Sequence, residues 1–137
     1  MVIGYACGVF DMFHIGHLNL IKNAKANCDY LIIGVTTDEL CLKLKGHKPA
    51  IPYSDRCAIV SSIKYVDEVV PQVNMNKPQA CAKYHASVLF AGDDHKDTKL
   101  WKYYEKECKK QNISVVYFPY TQGISSTILS RNIKPVV

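Results

Sequence analysis

Apolar positions along the chain repeat with two periods, about 2 and about 3.6 residues, and each change of period marks an element. Residues 2–9 form an apolar run with two glycines and predict a strand. Residues 16–28 follow with Leu18, Ile21, Ala24 and Lys25 at helical spacing. The stretch 30–36 (YLIIGVT) is continuously apolar, as expected of a parallel strand covered on both faces. A short helix is predicted over 38–44, stopped by Gly46 and Pro49. Ser54 is the expected N-cap of a helix running to Ile63, with Ala58, Ile59 and Ile63 facing inward. Residues 66–70 predict a strand ended by Pro71, and 77–85 a helix. A strand at 88–91 is closed by Gly92-Asp93-Asp94, and a helix over 98–111 leads to a strand at 114–118 before Pro119. Gly123 precedes a last short helix at 125–130. Strands alternating with helices at this spacing predict βαβ units. The expected architecture is one Rossmann-like α/β domain over 1–137, a five-stranded parallel sheet with helices on both faces.

Composition agrees with that picture. A chain of 137 residues fits one domain of about 100–200 residues, and 48 % hydrophobic residues suffice for a core. No apolar run approaches the roughly 18 residues of a membrane helix. The first twenty residues lack a basic n-region, so no signal peptide is expected. These features predict a soluble cytoplasmic protein without membrane insertion. The formal charge of +5 raises nucleic acid as a partner. Yet the densest basic stretch, 102–110, interleaves Glu105 and Glu107, which predicts a solvated helix face and no nucleic-acid contact. A small anionic substrate accounts for the charge equally well. The cysteines at 7, 28, 41, 57, 81 and 108 are widely spaced, with no zinc pattern. They read as reduced thiols packed as small hydrophobes.

In open sheets of this kind ligands sit beyond the carboxyl ends of the strands, where strand order reverses. That rule selects the loops at 10–16, 43–54, 92–99 and 119–127. The first, with His17 directly after it, reads Asp11-Met12-Phe13-His14-Ile15-Gly16-His17 from its second residue. His14 and His17 are three residues apart at a helix start and share one side of the turn. Gly16 between them lets a ligand approach the backbone, and the helix start adds unpaired amides and partial positive charge. A lone histidine here would read as structural. The full string GxFDxFHxGH behind a strand points to a receptor for a phosphate chain. Residues 123–127 (GISST) read as an anion nest or as an ordinary Ser/Thr N-cap.

Several motifs recur in order over nearly the whole chain: GVFDMFHIGH, DYLIIGVTTDE, YSDR, KYVDEVVP, FAGDD and TQGISST. With them the chain resembles the small cytidylyltransferases of the HxGH nucleotidyltransferase superfamily, most of all the bacterial branch acting on glycerol 3-phosphate. The resemblance implies transfer of CMP from CTP to a small phosphorylated alcohol by direct in-line attack on the α-phosphate, giving a CDP-alcohol and pyrophosphate. It assigns His14 and His17 to stabilising the transition state and Lys45 to bridging the reacting phosphates, with Lys43 and Lys48 as substitutes. It places Gly8, Val9, Phe10 and Gly16 at the nucleotide. Asp94 joins them there, with Asp93 the alternative. At the chain's end it adds Thr121, Gly123, Ile124, Ser125, Ser126 and Thr127, which would cradle the phosphates. Asp11, Arg56, Lys64, Asp67 and Tyr120 are implied on the acceptor side, with orienting the first loop the alternative for Asp11 and pairing with a neighbouring base the alternative for Asp67. Mg²⁺ is expected with the triphosphate, no dedicated metal ligands are, and a homodimer is implied.

Three positions depart from the branch that uses glycerol 3-phosphate. Tyr120 and Lys64 stand where it carries Arg, and Val73-Asn74-Met75-Asn76 occupies the segment where it has Trp. Arg to Lys loses the bidentate fork and Arg to Tyr loses a charge. Phosphocholine, phosphoethanolamine, another polyol phosphate or a phosphonate therefore remain open as acceptors. The stretch 43–49 also resembles the loop of sugar-phosphate adenylyltransferases, which keeps ATP open. A non-catalytic nucleotide- or nucleic-acid-binding module is the alternative outside enzymology. A class I aminoacyl-tRNA synthetase is disfavoured, since the chain lacks a KMSKS-like loop.

Overall fold

The strands and helices form in the predicted order. In a computed structural model that describes residues 1–119, the elements are β1 (Ile3–Gly8), α1 (Ile15–Ala26), β2 (Tyr30–Thr36), α2 (Asp38–Lys45) and α3 (Tyr53–Ser61), then β3 (Glu68–Gln72), α4 (Lys77–Lys83), β4 (Val88–Gly92), α5 (Lys99–Lys110) and β5 (Ser114–Phe118). The five strands make one sheet in the order β3-β2-β1-β4-β5, with every neighbouring pair parallel. Chain order reverses between β1 and β4. Their ladder pairs only Gly4 with Val88 and Tyr5 with Leu89, so it stops short of both carboxyl ends. That point is the switch point at which such sheets bind ligands.

Strand alternation divides the core into two layers. Leu31, Ile33 and Val35 of β2 point with Ala6 and Phe90 toward Ile21 and Ala24 of α1 and Val60 of α3. Tyr5, Ile32, Leu89 and Ala91 point the other way, toward Cys81 of α4 and Trp101, Tyr104 and Cys108 of α5. On this second face Gly34 leaves space for the Tyr5 side chain. A Cβ at Gly34 would collide with the Tyr5 hydroxyl, which donates a hydrogen bond to Gln72 Oε1. All six cysteines are free thiols, and Cys41, Cys81 and Cys108 are buried.

Local signals place the helix starts. Thr37, Asn76 and Thr98 each accept a backbone N–H into the first turn of α2, α4 and α5. Gly46, in the left-handed region at φ 79°, ends α2 as predicted. The basic side of α5 is exposed at Lys102, Lys106, Lys109 and Lys110, with Lys110 paired to Glu107 at 3.1 Å.

Several expectations need correction. Ser54 lies inside α3, whose N-cap is Pro52. Ala58 and Ile59 are exposed, and the inward face carries Arg56 and Val60 instead. An arginine on a helix's buried side breaks the apolar pattern, and of the three residues expected inward only Ile63 packs against the core. Pro71 lies within β3 and does not end it. This is an edge strand, where a missing N–H costs no ladder bond. The helix α4 stops at Lys83, because Tyr84 leaves helical geometry and His85 takes φ 60°. The proposed helix at 125–130 lies outside the described residues.

Candidate functional site

The carboxyl end of β1 runs into a loop held in unusual conformations. Phe10 and Met12 both have positive φ, 52° and 46°, which costs on the order of 1–3 kcal/mol each and concentrates at working sites. Phe10 is buried and its ring lies 5.4 Å from the His17 ring, while Phe13 lies 5.3 Å from it. Two aromatic rings thus hold His17 in place. At Gly8, at the end of β1, a Cβ would lie 3.4 Å from the Phe10 ring, an ordinary van der Waals contact.

His14 is the N-cap of α1, and Gly16 N–H donates to its Nδ1 at 3.1 Å. In return His14 N–H donates to His17 Nδ1 at 3.2 Å. This is a capping box in which imidazoles replace the usual hydroxyl and carboxylate. Each Nδ1 must offer a lone pair, so in the neutral ring each Nε2 carries the proton. The two rings stack with centroids 3.8 Å apart. Burial lowers the pKa of His17 to about 4, with the neighbouring His14 lowering it further and Asp11 opposing. Burial also lowers His14. Near neutral pH the pair is therefore two uncharged N–H donors above a helix start.

A set of polar contacts joins this loop to the one that follows Lys45. Asp11 accepts from Ala50 N–H at 2.8 Å through one oxygen and from Ile51 N–H at 2.9 Å through the other. Arg56 is fully buried. Its Nε donates to Ile51 O at 2.9 Å, one terminal nitrogen donates to Val9 O and Thr36 O, and the other reaches Asp38 Oδ1 at 2.6 Å. The second Asp38 oxygen accepts from Tyr53 N–H. Burial resists the charge on Asp38, but the Arg56 hydrogen bond, the Tyr53 amide and the guanidinium charge outweigh it and lower its pKa. Arg56 is buried in this pair while Asp38 keeps a quarter of its side chain exposed, so removing either partner costs less than the about 3–5 kcal/mol of a fully buried pair.

The structure brings some predicted residues together and separates others. Gly8, Val9, Phe10, Asp11, His14, Gly16 and His17 share the β1–α1 connection. Lys45 is exposed on the last turn of α2, and Lys43 and Lys48 are exposed beside it. Asp94 sits in a 3-10 turn at the carboxyl end of β4, on the other side of the switch point, with Asp93 in the same turn. Arg56, expected at the acceptor, is instead a buried tie between loops. Lys64 and Asp67 precede β3, at the sheet's amino end. Asp67 there accepts from Leu31 N–H at 2.7 Å and pairs with Lys25 at 2.6 Å, away from the carboxyl ends. Acceptor contacts by these two residues have no support in this geometry. Tyr120, Thr121, Gly123, Ile124, Ser125, Ser126 and Thr127 lie outside the described residues. Sequence reasoning missed Asp38. The available signal was Arg56 itself, four residues before the buried Val60, since an inward arginine requires an anionic or carbonyl partner.

A doubly wound parallel sheet with paired histidines in the loop at its switch point is the architecture of a nucleotidyltransferase. The chain belongs to the cytidylyltransferase-like family, whose model matches residues 5–132. It is 36% identical over 127 residues to glycerol-3-phosphate cytidylyltransferase of Bacillus subtilis (strain 168), covering 92% of each chain. It is 35% identical over 134 residues to ethanolamine-phosphate cytidylyltransferase of Mus musculus, covering 89% of this chain and 30% of that protein. The fold is shared with the lipopolysaccharide core biosynthesis protein from Thermoplasma volcanium GSS1. That comparison has a TM-score of 0.73 and 24% identity, covering 88% of this chain and 97% of that one.

Proposed function

We propose that this enzyme transfers CMP from CTP to a small phosphate monoester, glycerol 3-phosphate or a similar polyol or amino-alcohol phosphate. An oxygen of the acceptor phosphate attacks the α-phosphorus of CTP. The bond from that phosphorus to the bridging oxygen breaks, and pyrophosphate leaves. The nucleophile is already an anion, so the protein has no proton to remove. Its work is positioning, and stabilising charge as the α-phosphate passes through five-coordination.

The observation that carries this reading is the His14–His17 capping box. It leaves two neutral Nε2–H donors beside the switch point of a sheet whose family transfers nucleotides. Neutral donors suit a step in which charge moves between phosphates, because they need no proton exchange. Lys45 would add a mobile cation from the loop tied to the same site. The relatives named for glycerol-3-phosphate and ethanolamine-phosphate cytidylyltransferase support CTP as donor and an alcohol phosphate as acceptor. Mg²⁺ would arrive on the triphosphate. Bound there, it neutralises phosphate charge while keeping much of its water.

The test is pyrophosphate release by the purified chain with CTP or ATP. Each nucleotide is paired with glycerol 3-phosphate, phosphoethanolamine, phosphocholine and a sugar phosphate. Release with CTP and an alcohol phosphate is expected. Release with ATP and the sugar phosphate alone would replace this assignment, and no release with any pair would reject it.

A further inference from the structure

Between the histidine loop at the start of α1 and the loop that follows Lys45 at the end of α2 stands a charged group with no room for a substrate. The Arg56 guanidinium is fully buried, and its four hydrogen bonds tie four separate segments: Val9 before the histidine loop, Thr36 at the end of β2, Asp38 opening α2, and Ile51 in the Lys45 loop. Asp11 spans the same gap from the histidine loop to Ala50 and Ile51. A guanidinium is planar, and its donors leave in fixed directions. Partners bound to it keep one mutual arrangement, which a lysine at the same place cannot impose.

We propose that Arg56, held in its orientation by Asp38, is a positioning residue that sets the Lys45 loop against the His14–His17 loop. The inference rests on the nucleotidyltransferase reading of those loops, and it assigns a role to Asp38, which stands in the DYLIIGVTTDE motif without one. Asp38 matters because its two oxygens hold Arg56 and the first amide of α3 together. Without that anion the guanidinium retains three carbonyl partners but loses the contact that fixes its rotation. The Lys45 loop then shifts relative to the histidines. A misplacement of about 1 Å costs on the order of a hundredfold in rate.

The experiment compares the full chain with Asp38→Asn, Arg56→Lys, Lys45→Ala and the Asp38→Asn/Lys45→Ala double variant. Asn keeps the size of Asp38 and an acceptor oxygen, so this variant is the one expected to fold, and denaturation checks that it does. Amide hydrogen exchange without ligand should speed up by at least about tenfold at Ala50 and Ile51 in Asp38→Asn, as local opening there becomes easier. Turnover should fall by at least about tenfold, with CTP affinity changed much less. In the Lys45→Ala background the same substitution should cost far less, because the lysine it displaces is already gone. Additive losses together with unchanged exchange at Ala50 and Ile51 would overturn the proposal. So would an Arg56→Lys enzyme of normal turnover that is weakened only in acceptor KM, which would make Arg56 a binding residue. Should the wild-type chain release no pyrophosphate, the functional reading fails, and the exchange comparison alone decides the clamp.

Discussion

His14 and His17 stack at 3.8 Å, and each accepts a backbone N–H on Nδ1. This relationship ties helix capping to chemistry, since the bonds that start α1 are the bonds that choose the tautomer. Each ring spends Nδ1 on the fold, which in the neutral form places its proton on Nε2. The stacking also penalises a second charge, so protonating one ring makes protonating the other harder.

Replacing either ring should therefore separate turnover from affinity. His14→Ala and His17→Ala are each expected to lower turnover about 10²–10³-fold, the scale for losing one preorganised donor to transition-state charge. CTP affinity should change by far less, as read by steady-state kinetics and calorimetry. Equal losses in both would show that the donors bind the ground state as tightly. His14→Ala should also cost about 1 kcal/mol of stability through the lost cap.

The depressed pKa of His17 sets a pH window. An unfolded histidine takes its proton near the ordinary value of 6.5, whereas in the folded chain burial, with His14, delays this to about 4. The unfolded state then holds more protons between those values. Stability from this residue is complete above about 6.5 and is lost as pH falls toward 4. Denaturation midpoints across that range should fall less steeply for His17→Gln than for the wild type. Parallel slopes would mean that His17 titrates as an ordinary histidine. The lowered carboxyls of Asp38 and Asp67 contribute acid sensitivity that both proteins share.

The three basic residues around Gly46 are distinguishable by turnover. Lys45→Ala is expected to lower it at least about a hundredfold, as for a group that balances transition-state charge. Lys43→Ala and Lys48→Ala should stay within about threefold of wild type, the range of rim charges that only steer encounter. A large loss at Lys43 or Lys48 with Lys45→Ala active would move the role along the loop.

Gly34→Ala tests the packing on the α4/α5 face. The new methyl would meet the Tyr5 hydroxyl and break its bond to Gln72. A destabilisation of about 1–3 kcal/mol is expected from overpacking alone, measured by urea unfolding. An unchanged midpoint would show that Tyr5 moves aside freely.

Association is the remaining expectation from family resemblance. Light scattering of the purified chain should give twice the mass of 15.4 kDa. A mass of one chain across the working concentration range would remove the homodimer from the description.

Much of the fold was legible because apolar spacing reports burial directly. The run at 30–36 became β2 with its boundaries unchanged, and Gly46 ended α2 where a left-handed residue was needed. Errors arose where a polar residue pointed inward. Arg56 took the buried position on α3 that the pattern had given to Ala58 and Ile59. Pro71 stayed within a strand because β3 lies at the edge, and strand order is not written in any local run.

The amino-acid sequence by itself determined the alternating elements, the parallel sheet and the candidacy of His14 and His17, since each follows from local periodicity or a contiguous motif, whereas Lys45 is implied by the family resemblance. Only tertiary structure decided that Asp11, Asp38 and Arg56 join the loops, and that Lys64 and Asp67 belong to the amino end of the sheet. Those assignments depend on contacts between residues 18 to 47 positions apart. Such contacts exist only after the strands are ordered, because a buried charge selects its partners from whatever folding has brought beside it.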